Sequence, residues 1–151
     1  MTRHLAQLNI GRLVAEPSHP SVKEFMDALD TVNGIGQRSP GFVWMMAGSG
    51  EPGTGNTENN LDDDPCFVAN LTVWEDVASL RNFAANTLHA KFMKRRHEWF
   101  EPLDQAYFVM WWVDAGHKPT LQEGRDRLDH RIKNGDSEHA FGWAYAGEAE
   151  L

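Results

Sequence analysis

Two short apolar runs carry polar groups at strand spacing. Asn70, Thr72 and Trp74 alternate along one, and Gln7 and Asn9 alternate along the other. A period of two puts each set on one face of a strand. Carboxamide, hydroxyl and indole groups on an inward face need hydrogen-bond partners. They are met by a ligand, or by one another and a buried water. His89 can act as a general base near neutral pH. Phe92, Met93, Arg96 and Trp99 or Phe100 follow it at helical spacing. A plainer role for His89 is a helix-start side chain bonded to backbone near Thr87.

Other reactive groups are easier to set aside. His97 lies in a charged run (Lys94, Arg95, Arg96, Glu98) that reads as a solvated face, and His117 lies in a turn, Gly116–Pro119. His4, His19, His130 and His139 show no metal-ligand spacing, so no metal site is expected. The lone Cys66 starts an apolar run and reads as a small hydrophobe. Asp62-Asp63-Asp64 before Pro65 reads as an exposed acidic loop. Dinucleotide, P-loop and nucleophile-elbow signatures do not occur.

The formal charge is −8, from 22 acids and 14 bases. Such a chain is repelled by phosphate backbones and anionic membranes, so neither nucleic acid nor membrane is an expected partner. The first 13 residues contain no apolar signal core. No stretch reaches the roughly 20 apolar residues of a membrane span. A cytoplasmic location is therefore expected. Six Trp and eight Phe stand against two Tyr. Trp is costly filler, because its N–H wants a partner when buried. These aromatics point to a large core, a cavity, an interface, or some of each.

The elements that must position these groups read as follows. Residues 4–13 alternate and form a strand ended by Pro17 and Pro20. Ser21-x-x-Glu24 is a capping box opening a helix with Val22, Phe25, Met26, Leu29 and Val32 on one face. Residues 42–47 form a strand buried on both faces, and 48–65 a long Gly-rich loop, either functional or mobile. Residues 67–74 form a strand. Asp76 caps a helix that breaks at Asn86-Thr87, and a second helix runs from Leu88 to Phe100. Residues 107–113 (YFVMWWV) form the most apolar strand. Thr120-x-x-Glu123 is a further capping box, and Gly135 ends its helix. Phe141 to Tyr145 is a short strand or an aromatic tail.

The order βαββαβ followed by a helix predicts one α+β, ferredoxin-like domain over residues 1–151, with 114–151 as a C-terminal helical extension. Such a sheet carries helices on one face. Ala6, Leu8, Ile10, Ala69, Leu71, Val73, Phe108, Met110 and Trp112 are assigned to the other. An uncovered apolar face of that size is a liability that a second copy would relieve, so a homodimer is expected. Trp44, Trp74, Trp99 and Trp111 are then assigned to a pocket wall on the helix side.

Thr72-Val73-Trp74, with Ser79, Phe83 and His89-Ala90-x-Phe92, resembles the strand-to-helix signature of the dimeric α/β-barrel, antibiotic-biosynthesis-monooxygenase-like superfamily. The opening HLAQLNIGRL, and the stretch from Trp111 through Gly116-His117-x-Pro119-Thr120 to Ala140-Phe141, resemble one bacterial branch of it, DUF3291.

The resemblance implies a dimeric α/β barrel binding a small hydrophobic or aromatic ligand. It also implies one of three functions: a cofactor-independent monooxygenase on an aromatic or polyketide-like substrate, a haem-binding or haem-degrading protein, or a non-catalytic ligand-binding module. For the first, His89, Asn70 and Trp74 are the catalytic candidates. Asn9, Gln7, Trp44, Phe92, Arg96, Trp99 and Trp111 are the ligand-binding candidates. Asn70-x-x-x-Trp74 matches the anthrone oxygenases, whose following Tyr is Leu80 here. In the haem-degrading pattern Asn9 matches, whereas Phe83 replaces a Trp and Met93 stands where a His is used. No cofactor is therefore expected, with haem as the alternative.

Overall fold

The computed structural model describes residues 2–46 and 64–151. The Gly-rich stretch, with Asp62 and Asp63, lies outside the described residues. Four strands form one antiparallel sheet: β1 (Arg3–Arg12), β2 (Phe42–Met45), β3 (Phe67–Trp74) and β4 (Phe108–Asp114). Their order is β2-β3-β1-β4. The helices are α1 (Lys23–Gln37), α2 (Val77–Asn86), α3 (Leu88–Lys94) and α4 (Leu121–Asn134). This is the ferredoxin-like βαββαβ order with a helix appended. No helix among the described residues is long and apolar enough to cross a membrane.

Local chemistry explains most element ends. Asp76 accepts the Ser79 N–H and caps α2, and Thr87 accepts the His89 N–H and caps α3. Gly135 ends α4 at φ +80°, a conformation other residues resist. The Ser21–Glu24 capping box does not form. Pro20 instead starts a 3₁₀ turn (Pro20–Val22) capped by His19. Glu24 is drawn away to the Arg95 guanidinium at 2.9 Å, a stronger charge-assisted bond. The Thr120 box is half made: Thr120 caps Glu123 N–H, while the Glu123 carboxylate accepts from the Trp111 indole at 2.9 Å. The second broken helix ends early, at Lys94, and continues as a 3₁₀ turn (Arg96–Glu98). β2 is an edge strand with Val43 exposed, not a strand buried on both faces.

The register decides which side chains share a face. Gln7 sits opposite Thr72 on β3 and Met110 on β4, and Asn9 sits opposite Asn70 and Phe108. So Phe108, Met110 and Trp112 share the face of Gln7 and Asn9. Val109, Trp111 and Val113 share that of Ala6 and Leu8. This reverses the expected faces of β4. Every residue from Tyr107 to Val113 is apolar or aromatic, so no polar position marks the phase, and a one-residue shift exchanges the faces.

Ala6, Leu8, Leu71, Val73, Val109 and Trp111 form a core with Leu121 and Leu128 of α4 and with Ala140. All are buried within one chain. Gly124 lets α4 approach closely, since a Cβ there would lie 3.1 Å from Leu8 Cδ2 and 3.3 Å from the Trp111 ring. The uncovered apolar face that motivated a dimer is thus covered across β1 and β4 by the chain's own extension. The opposite face carries α2 and the tail. Phe141 forms a bridge to Met110 at the outer edge of β4, and Trp143 stacks on Phe108 at 5.3 Å.

Candidate active site

Between the helix-bearing sheet face and α1, α2 and α3 lies a cavity of about 450 Å³. That falls within the range of roughly 300–1,000 Å³ typical of small-molecule sites. The sheet contributes Gln7, Asn9, Asn70 and Thr72 to its floor. The apolar face of α1 contributes Phe25, Leu29 and Val32. Phe83, His89 and Phe92 come from α2 and α3, Arg96, Trp99 and Tyr107 from the segment joining α3 to β4, and Phe108 from β4 itself.

The floor is a connected polar network. Gln7 Nε2 donates to Asn70 Oδ1 at 2.6 Å and to Thr72 Oγ1 at 2.8 Å. Asn9 Nδ2 donates to Gln7 Oε1 at 3.4 Å. Trp74 Nε1 donates to Thr72 Oγ1 at 2.8 Å. Gln7 and Thr72 are 2% and 3% exposed, and they satisfy each other and Trp74. With its oxygen engaged by Gln7, Asn70 is part of a lining that is otherwise mostly apolar. Among the described residues, the Asn70 amide nitrogen has no protein partner.

His89 begins α3 against Phe83, ring centroids 4.7 Å apart. Its Nδ1 lies 3.1 Å from the Ala84 carbonyl oxygen. A carbonyl only accepts, so Nδ1 carries the proton and Nε2 keeps its lone pair. Burial pushes the imidazole below its ordinary 6.5, against the opposing pull of the Ala84 bond. The ring is therefore neutral at pH 7, with an acceptor nitrogen on a residue that lines the cavity. The plainer backbone-bonded role is also realised, through the other ring nitrogen.

Arg96 stacks its guanidinium on Tyr107 at 4.2 Å from the ring centre and on Phe100 at 5.6 Å. Arg131 also borders the cavity, but it is taken up by Asp136 at 2.7 Å and the Phe108 carbonyl at 2.6 Å.

Seven of the ten expected site residues line this cavity: His89, Asn70, Asn9, Gln7, Phe92, Arg96 and Trp99. Three do not. Trp74 is fully buried beside the floor on the same sheet face, bonded to Thr72 and stacked on Phe83 at 5.3 Å. Trp111 and Trp44 sit on the opposite face, in the α4 core and against it. Trp44 pairs with Val73, on that opposite face, because β2 shifts register between Phe42 and Trp44. Cys66 is buried outside the cavity, and burial pushes its thiol up. Asp64 accepts from Arg12 at 2.9 Å and from the Cys66 N–H. Residues not anticipated at the site include Phe83, Tyr107, Phe108 and Trp143. The α1 stripe was legible as an apolar face, but nothing in it separates core from cavity lining.

No curated protein matches this chain. Among solved structures, it resembles a conserved protein from Methanosarcina mazei Go1 (TM-score 0.53, 12% identity, covering 75% of this chain and 93% of the other). It also resembles PA3566 from Pseudomonas aeruginosa (TM-score 0.51, 11% identity, covering 78% and 98%). A third is an asparagine-to-alanine mutant of SnoaB, a cofactor-independent oxygenase from Streptomyces nogalater (TM-score 0.50, 15% identity, covering 82% and 100%). At these identities the likeness is one of fold. A family model described as a domain of unknown function, DUF3291, matches residues 4–150, so the chain belongs to that family.

Proposed function

We propose that this protein binds a small aromatic ligand in the cavity and oxidises it with O₂ without a bound cofactor. The observation that carries the reading is a neutral His89, its Nε2 without a partner among the described residues, lining the same mostly apolar cavity as Asn70. Kinship of fold with a cofactor-independent oxygenase supports it. On an anthrone-type substrate, Nε2 takes a proton from the ring methylene. The resulting carbanion passes one electron to O₂, and the two radicals combine into a C–O bond. The hydroperoxide so formed loses water to leave a ketone. One substrate and one O₂ thus give one quinone and one water. Asn70 Nδ2 donates to the oxygen on which negative charge collects. Trp74 takes a positioning role, holding Thr72 and through it Gln7.

The test is O₂ consumption with 1,8-dihydroxyanthrone. His89→Ala is expected to lower turnover roughly 10²- to 10⁴-fold, as loss of a general base does. Asn70→Ala is expected to lower it about 10²-fold or more. Unchanged turnover in both variants overturns the assignment, and ligand binding without turnover in the wild type leaves a binding module. Haem binding is the second reading, favoured by the same Nε2, which has no partner among the described residues, beside an orienting Nδ1 contact. A hemin titration without a shifted Soret band removes it. The homodimer belongs to this proposal with one change: a second copy packs outside the face that α4 covers. Native mass spectrometry showing only monomer refutes that.

A further inference from the structure

We infer that the cavity takes an anionic aromatic ligand, with Arg96 as the residue that receives the negative group. This rests on the cavity being a ligand site and is independent of the oxidation step. The guanidinium carbon of Arg96 lies over the rings of Tyr107 and Phe100, contacts that use none of its N–H donors as hydrogen bonds. Its five N–H donors lie in the plane and stay available. Among the described residues none of them is used, and no carboxylate lies within 4.0 Å.

Of the two arginines that line the cavity, Arg96 alone holds no carboxylate among the described residues. The chain has 22 acids for 14 bases. Arg12 and Arg95 each hold two carboxylates, and Arg131 holds Asp136 and a carbonyl. Arg96, next in sequence to Arg95 and bordering the cavity, holds none among the described residues. Glu150 also borders the cavity and pairs with neither Arg96 nor Arg131. The aromatic lining (Phe25, Phe83, Phe92, Trp99, Tyr107, Phe108) suits planar rings, and the fixed cation among them suits a carboxylate or acidic phenolate. The stacked Tyr107 and Phe100 hold the guanidinium in place before the ligand arrives, so little freedom is lost on binding.

The probe is anthraquinone-2-carboxylate, compared with the neutral, nearly isosteric anthraquinone-2-carboxamide, by titration against wild type, Arg96→Gln, Arg96→Lys and His89→Ala. Wild type is expected to bind the carboxylate about ten-fold or more tightly than the amide, a difference of about 1.4 kcal/mol. Arg96→Gln loses that preference while keeping its affinity for the amide, which a merely structural role would not predict. Arg96→Lys restores part of the preference, and His89→Ala leaves it intact. Equal affinity of wild type for both probes overturns the inference while leaving the cavity a ligand site. Binding of neither probe overturns both, and an intact preference in a His89→Ala variant without turnover separates recognition from chemistry.

Discussion

Replacing Thr72 with valine removes one oxygen and keeps the side chain's shape. That oxygen accepts from Trp74 Nε1 and from Gln7 Nε2, each at 2.8 Å. Both donors are buried, Trp74 at 0% and Gln7 at 2% exposure. The indole N–H then has no partner among the described residues, while Gln7 keeps Asn70. An unsatisfied buried donor costs about 1–3 kcal/mol. Valine fills the same volume, so no cavity cost adds to this. Thr72→Val should therefore destabilise the fold by about 1–3 kcal/mol, a sizeable share of the roughly 5–15 kcal/mol typical of a domain. Urea unfolding reads this as a lower midpoint at unchanged slope. The cause is isolated by repeating the substitution in a Trp74→Phe background, where the indole donor is already gone. There Thr72→Val should cost about 1–2 kcal/mol less. A loss below about 0.5 kcal/mol, or the same loss in both backgrounds, refutes the buried-network argument, since ordinary surface substitutions fall within that range.

His89 sits below its ordinary 6.5 because burial disfavours its charged form. The unfolded chain therefore binds the proton more readily, and the stability His89 contributes is present above pH 6.5 and lost as pH falls below it. The stability gap between wild type and His89→Gln should accordingly narrow from about pH 7 to about pH 5 in urea titrations, and turnover should fall over the same range. A gap that widens on acidification contradicts a buried neutral imidazole. Trp111→Phe should cost about 1–3 kcal/mol, through the lost bond to Glu123 and thinner packing under α4, yet leave affinity for the anthraquinone probes unchanged. A marked loss of affinity would return Trp111 to the cavity side.

Much of this arrangement was legible one residue at a time. Alternation in HLAQLNIGRL set Gln7 and Asn9 on one side, because the strand period is two and the other side is apolar from Ala6 through Leu8 to Ile10. The same period placed Asn70 and Thr72 together. Asp76 and Gly135 marked helix ends through bonds or dihedrals that concern only a few neighbouring residues. His89 at the start of α3 followed from the break at Asn86-Thr87.

What the chain could not settle locally were relations between elements. The β4 run has no polar residue to reveal its phase, so only pairing with β1 decided that Phe108 faces the cavity and Trp111 faces α4. Trp74 shares the strand face of Asn70, but Phe83 and Thr72 close over it, which depends on where α2 packs. The Glu24 and Glu123 side chains left their local boxes for Arg95 and Trp111, partners 71 and 12 residues away. The helix after Thr120 was visible as a narrow apolar stripe, yet its seat on β1 and β4 is a matter of packing. That seat buries the face a second copy was expected to cover. Local bonds are written in spacing, whereas strand phase, helix docking and the choice among charged partners depend on which surfaces meet, and only the folded chain brings those together.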